Sequence, residues 1–238
     1  MSEQVRTMFA TIAPSYDRVN SVLSFGIHHL WRAATVRASR AAAGQRVLDC
    51  ATGTGDLALA FKRAVGPTGT VVGTDFCAEM LVPAPAKARE RGLDVTFEVA
   101  DAMDLPYPDG SFDVASISFG IRNVDDPVRC LAEMGRVVRP GGRVVVLEFG
   151  QPTGPFGALY RFYSNTVIPF VGGLLSGSRD AYEYLPRTSA AFAAEERFVE
   201  LMERSGAFSA ARFERLTMGI AVLYVGTVSA RTATAADA

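Results

Sequence analysis

Three carboxylates stand behind three apolar runs, and a glycine-rich turn follows the first of them. Asp49 lies near the end of Val47-Leu48-Asp49-Cys50-Ala51, and Thr52-Gly53-Thr54-Gly55-Asp56 comes next. Asp75 and Phe76 close a second run, 70–76. Asp101, Ala102 and Met103 follow a third, 95–100. Glycine at 53 and 55 lets the backbone bend sharply and lets a ligand approach where a Cβ would block it. The spacing also fits the dinucleotide fingerprint G-x-G-x-x-A, so the turn alone leaves two kinds of nucleoside open.

Asp49 separates them. A carboxylate there repels a pyrophosphate but attracts the ammonium and sulfonium of S-adenosylmethionine. Its alternative role is to cap the turn through loop N–H groups. Asp75 is placed to accept both ribose hydroxyls, as acids do in dinucleotide sites. Asp101 or the Ala102 N–H can read an adenine edge while Met103 packs on its face, the alternative for Asp101 being a loop cap.

Acids at three successive strand ends require a scaffold that gathers those ends at one edge. Apolar runs at 47–51, 70–76, 95–100, 112–119 and 143–149 alternate with helical stretches at 57–65, 79–91 and 128–138. Near-continuous apolar strands alternating with helices imply a parallel, doubly wound sheet covered on both faces. Ligands bind at its carboxyl edge, at the topological switch point. Pro83 and Pro85 are expected to disturb the start of the second helix. Arg139-Pro140-Gly141-Gly142 reads as a turn that stops a helix and launches the strand from 143. Segment 194–204 reads as a helix, and 212–217 with 221–229 as a final pair of strands. The expected organisation is a single domain, 1–238, with a helical cap over 5–43 and a cofactor-binding core over 44–149. A substrate cover over 150–190, a helix and strands over 191–229 and a frayed tail over 230–238 complete it.

Composition sets the limits. The chain has 238 residues, 49% hydrophobic and 21% charged, with a net charge of -1. That supports a sizeable core and argues against bulk electrostatic binding of nucleic acid. Mean hydropathy is +0.17, yet no apolar run is long enough to cross a bilayer. Cys50, Cys77 and Cys130 are scattered, so no zinc site or disulfide scaffold is expected. The polar start carries no secretory h-region, which makes the cytoplasm the expected compartment. Only Lys62 and Lys87 are lysines, and the excess of arginine reads as codon bias.

DCATGTGD, the acid in VVGTDF, ADAMDLP, DGSFDVASISFG and RVVRPGGRVVVLEF resemble the ordered motifs of class I S-adenosylmethionine-dependent methyltransferases. MFATIAPSYDRVNSVLSFGIHHLWR and ISFGIRNVDDP, leading into LEFGQP, resemble the two signatures of the ubiquinone/menaquinone biosynthesis C-methyltransferases. The resemblance implies an α/β, Rossmann-like fold with seven strands, mostly parallel and the last antiparallel, under a helical cover. It implies methyl transfer from S-adenosylmethionine to a ring carbon of a prenylated quinol, demethylmenaquinol above all. The alternatives are the benzoquinol precursor of ubiquinone or another small molecule on the same scaffold. Cofactor contacts carry over onto Thr54, Asp75, Asp101 with Ala102, and Ser118. Cys77 and Thr52 depart from the family pattern, each small for small. Expected partners are the quinol, transiently the inner face of the membrane, and a second copy of the chain.

A sulfonium is already a good leaving group, so no metal is expected. The acceptor carbon must instead be made nucleophilic by ionising the neighbouring hydroxyl. Arg122 and Asn123 lead the candidates for this, because a guanidinium stays charged and can stabilise a quinolate. The alternative for Arg122 is a loop-fixing pair with Asp125 or Asp126. Tyr16 could bond cofactor or quinol and Asp17 could relay a proton; packing is the alternative for Tyr16. His28 and His29 fit capping or packing better than catalysis. Tyr160, Tyr163, Tyr182 and Tyr184 are candidates to line the ring pocket, and the apolar stretch 150–190 to shape a channel for the prenyl tail.

Overall fold

The computed structural model describes residues 3–230. Most of the expected tail lies outside the described residues. Seven strands form one sheet: β1 (Arg46–Cys50), β2 (Thr70–Asp75), β3 (Thr96–Val99), β4 (Phe112–Ser118), β5 (Val138–Phe149), β6 (Phe208–Leu216) and β7 (Ala221–Val228). Their spatial order is β3-β2-β1-β4-β5-β7-β6. The first five are mutually parallel, and β7 runs antiparallel between β5 and β6. This is the expected class I methyltransferase sheet. Because β1 has β2 on one side and β4 on the other, the chain reverses its winding there and opens a crevice at the strand ends.

Eleven α-helices surround the sheet among the described residues. Before it come α1 (Glu3–Ile12), α2 (Tyr16–Leu23) and α3 (Ile27–Ser39). Between strands lie α4 (Asp56–Val65), α5 (Ala78–Leu81), α6 (Ala84–Glu90) and α7 (Pro127–Val137). After β5 come α8 (Gly154–Phe162), α9 (Ile168–Ser176), α10 (Arg179–Ala191) and α11 (Glu196–Arg204). The division between α5 and α6 falls at Pro83, as the two prolines predict.

Strand alternation sends Leu48, Cys50, Ala115, Ile117, Val144 and Val146 to one face, against Leu131 and Met134 of α7 and Phe198 and Met202 of α11. Val47, Val71 and Val114 meet Leu57, Phe61 and Val65 of α4 on the other face, where Trp31 of α3 covers Val145 and Leu147. Each large apolar side chain so buried contributes about 1.5–3 kcal/mol.

The Arg139–Gly142 turn is not a break before the strand: β5 already begins at Val138. Val138 pairs with Phe112, and the next pair is Arg143 with Val114, so the turn is a bulge inside the ladder. Gly142 permits it, since a Cβ there would lie 2.6 Å from the Asp113 carbonyl oxygen. Segment 150–190 is helical almost throughout. A π-helical turn, Tyr163–Val167, joins α8 to α9 and rotates the apolar face, which blurs the period in the sequence. These helices pack on the amino-terminal ones: Ile168 and Tyr182 share a cluster with Ile12 and Val19. Among the described residues no helix is long and apolar enough to cross a membrane.

Candidate active site

The loop after β1 holds its shape through the first two acids. Ala51, at φ 48°, and Gly53, at φ 56°, turn the chain out of the strand, and Gly55, at φ 85°, starts α4. Asp49 faces inward on β1 and is 1% exposed. Its carboxylate accepts from the Ser116 hydroxyl of β4 and from Thr52 Oγ1, each at 2.6 Å. Burial pushes Asp49 up to about 6, although both hydroxyls pull it down. A buried carboxylate held only by neutral donors is matched by a cationic ligand. Asp75 accepts from the Gly53 N–H and the Cys77 N–H, each at 2.9 Å. Burial nevertheless lifts it above the usual carboxylate range. The ribose candidate therefore also ties the glycine loop to the end of β2.

Two cavities adjoin this loop. The smaller, about 60 Å³, is lined by Asp75, Phe76, Asp101, Ala102, Ser118 and Asn123 among others. The larger, about 580 Å³, is lined by Asp49, Thr54, His28, Arg122, Tyr16 and the helical cover. Phe9, Tyr16, Ala51, Gly53, Ser118 and Phe119 line both. Two of the expected cofactor residues are exceptions. Gly55 lines neither cavity; a Cβ there would lie 2.9 Å from Ala84 and Phe97, so this glycine permits close packing and not ligand approach. Met103 is the other. Its side chain is 9% exposed and sits in the main core cluster, outside the lining of either cavity. Its N–H caps Asp101 at 2.9 Å, the alternative role weighed for that acid.

Arg122 does not pair with Asp125 or Asp126. Its Nη1 donates to Glu148 Oε1 at 2.6 Å and to the Phe119 carbonyl at 2.8 Å. Its guanidinium lies 5.4 Å from the Phe149 ring centre. Asn123 Oδ1 accepts from the Tyr184 hydroxyl at 3.0 Å, which joins the loop after β4 to the cover. Glu148 was outside the sequence expectations. Its position in LEF, inside an otherwise apolar strand, is the signal that could have found it.

Asp17 is absent from the lining of the large cavity. It accepts from Thr54 Oγ1 at 2.6 Å and from Lys87 Nζ at 2.7 Å. Lys87 also meets Asp56 at 2.8 Å, and Asp56 meets Arg32 at 3.1 Å. This network fastens α2 to the glycine loop; it does not leave Asp17 free to relay a proton. Tyr16, the neighbouring residue, does line both cavities, and burial raises its phenol above the ordinary range.

The four tyrosines of the cover all line the large cavity. Tyr163 donates to the Leu23 carbonyl at 2.8 Å and so pins the cover to α2. Burial pushes the Tyr160 phenol up to about 12. Tyr182 is 4% exposed and packs against Gly172. His28 bonds Ser24 through Nδ1 and is 7% exposed. Burial, with Arg32 beside it, lowers His28 to about 4, so it is neutral at pH 7. It is a packed residue of the cavity wall.

A model of the ubiE/COQ5 methyltransferase family matches residues 1–228. A Bdellovibrio bacteriovorus protein named ubiquinone/menaquinone biosynthesis C-methyltransferase UbiE is 62% identical, over 95% of this chain and 96% of its own. A Thermus thermophilus demethylmenaquinone methyltransferase is 50% identical, over 92% and 99%. Among solved structures, a Thermotoga maritima S-adenosylmethionine-dependent methyltransferase superposes with a TM-score of 0.62 at 22% identity, over 93% of this chain and 98% of that one. That last likeness carries the fold alone. The family match and the two relatives carry more: this chain belongs to the ubiE/COQ5 methyltransferase family.

Proposed function

We propose that this protein methylates a ring carbon of a prenylated quinol, demethylmenaquinol, with S-adenosylmethionine as donor. The observation that carries the reading is the joining of two cavities at one wall. An acid-lined cleft at the glycine loop meets a large cavity walled by aromatic and aliphatic side chains, and Arg122 stands in the large cavity's wall, bonded to the carbonyl of the shared residue Phe119. The relatives named demethylmenaquinone methyltransferase support the acceptor.

The bound donor supplies an electrophilic methyl group on a sulfonium. Asp49 offers the negative charge that suits its cationic end, and Asp75 and Asp101 offer acceptors to ribose and adenine. Arg122 directs N–H donors at an acceptor oxygen, which favours ionisation of the hydroxyl beside the reacting carbon. Phe119, Phe149 and Trp31 stack beside it and exclude water; the Phe119 and Phe149 rings are 4.4 Å apart. The ring proton lost after transfer passes to water, since burial lowers His28 to about 4 and makes it a weak base, and Asp17 is held in its ion pair with Lys87.

The exposed side chains Phe25, Leu159 and Phe162 stand on the rim of the large cavity. An apolar rim of this kind lets a bilayer-dissolved tail enter without crossing water, and it supports transient membrane contact. The test uses purified protein, methyl-labelled S-adenosylmethionine and reduced acceptors. Label is expected in demethylmenaquinol. Label only in a benzoquinol, or in neither, overturns the assignment.

A further inference from the structure

Glu148 lines neither cavity, yet it holds Arg122, which stands in the wall of the larger one. It lies on β5, between β4 and β7 and paired directly with Val222. The carboxylate is thus mounted at the carboxyl end of an interior strand. Its side chain is 2% exposed and that of Arg122 is 4% exposed. Oε1 accepts from Arg122 Nη1 at 2.6 Å and from the Phe149 N–H at 2.8 Å. Oε2 and Arg122 Nε are buried without a partner.

A pair built this way is a poor device for stability. Burying two charges costs several kcal/mol each, and an apolar pair of equal volume often does as well or better. An unpartnered oxygen adds to the cost. What the pair does achieve is orientation. With Nη1 taken up by Glu148 and the Phe119 carbonyl, and Nε buried, the guanidinium plane is fixed and the Nη2 hydrogens remain for a ligand. It also cancels charge. A lone buried guanidinium would stabilise an anionic acceptor so strongly that its ring carbon would lose nucleophilicity. Paired with Glu148, the same group is a directed donor within a pair of no net charge.

We propose that Glu148 is a positioning residue for methyl transfer, clamping Arg122 in one orientation and cancelling its charge, so that the acceptor oxygen meets a directed N–H donor. The proposal rests on the acceptor reading above, and unaltered protein serves as the control: no turnover of reduced demethylmenaquinone there overturns that reading and the proposal with it. Three proteins are compared: wild type, Glu148→Gln, and the neutral double variant Arg122→Gln/Glu148→Gln. The readouts are S-adenosylmethionine affinity by calorimetry, thermal melting, and kcat and KM as functions of pH. Glu148→Gln is expected to keep cofactor affinity and to lower kcat roughly 10- to 100-fold through misplacement of Arg122. The acid limb of its kcat profile is expected about 1 pH unit lower, because the uncompensated guanidinium favours the anionic acceptor. The double variant, with no unpaired charge, is expected to melt near the wild-type temperature and to recover none of the lost kcat. Wild-type kcat and an unmoved limb in Glu148→Gln overturn the proposal. So does recovery of kcat with stability in the double variant, which would make the pair purely structural.

Discussion

Lys87→Met is expected to loosen the amino-terminal cap from the cofactor loop. Lys87 Nζ reaches Asp17 at 2.7 Å, Asp56 at 2.8 Å and Thr54 Oγ1 at 3.1 Å. One ammonium on α6 thereby ties α2, the glycine loop and the first residue of α4. A charge-assisted hydrogen bond in a protected setting contributes about 1.5–3 kcal/mol. Both carboxylate contacts must be discounted. The Asp17 side chain is 42% exposed, so water replaces most of its bond. Asp56 is 17% exposed but keeps Arg32 at 3.1 Å and Arg91 at 3.5 Å. The net loss is then about 1–2 kcal/mol, or roughly 2–8 °C in melting temperature for a domain of this size. Hydrogen exchange locates the effect. Amides of α1 and α2 are expected to exchange roughly 5–30 times faster, with little change in β1 and β4. A fall in melting temperature with unchanged exchange in α1 and α2 would refute the latch.

Two further outcomes follow from the cavity walls. Burial pushes Asp49 up to about 6 in the fold, from an ordinary value of 3.8, so the native state holds its proton where the unfolded chain has lost it. This group's contribution to stability therefore falls as pH rises between those values and is constant above them. Ligand binding runs the other way: affinity for S-adenosylmethionine is expected to weaken as pH drops through about 6, and Asp49→Asn to flatten that dependence in calorimetry. A profile that keeps its slope in Asp49→Asn removes Asp49 from the site. Gly172→Ala places a Cβ within 2.3 Å of the Tyr182 ring and forces α9 from α10, an overpacking cost of about 1–3 kcal/mol. Acceptor KM should rise while cofactor affinity holds; the reverse pattern would mean that the cover does not shape the acceptor cavity.

The sheet was legible because its strands are buried on both faces and read as apolar blocks. The glycine loop was legible because local backbone geometry demands its residues. Placement was harder wherever a long-range partner decides it. Glu148 and Arg122 stand 26 residues apart and meet only when β4 and β5 lie side by side. Asp17 looked available for proton transfer until Lys87, 70 residues on, was brought beside it. Met103 follows a site residue in the chain, but its side chain packs into the core beneath the loop. β6 begins at Phe208, earlier than the expected 212, because a half-exposed edge strand carries alanines and charges in place of an apolar block.

The two lysines are not products of codon bias alone. Lys62 is 7% exposed, with Nζ donating to the Gly69 carbonyl at 2.6 Å, and the Lys87 side chain is 16% exposed within its latch. Both stand where one small, three-donor head must reach several acceptors, a task for which a planar guanidinium is the wrong shape. The exterior is consequently left without side-chain amines. Among side chains an amine-directed label has no easy surface target here, and its arrival at Lys87 would time the release of the cap from the cofactor loop.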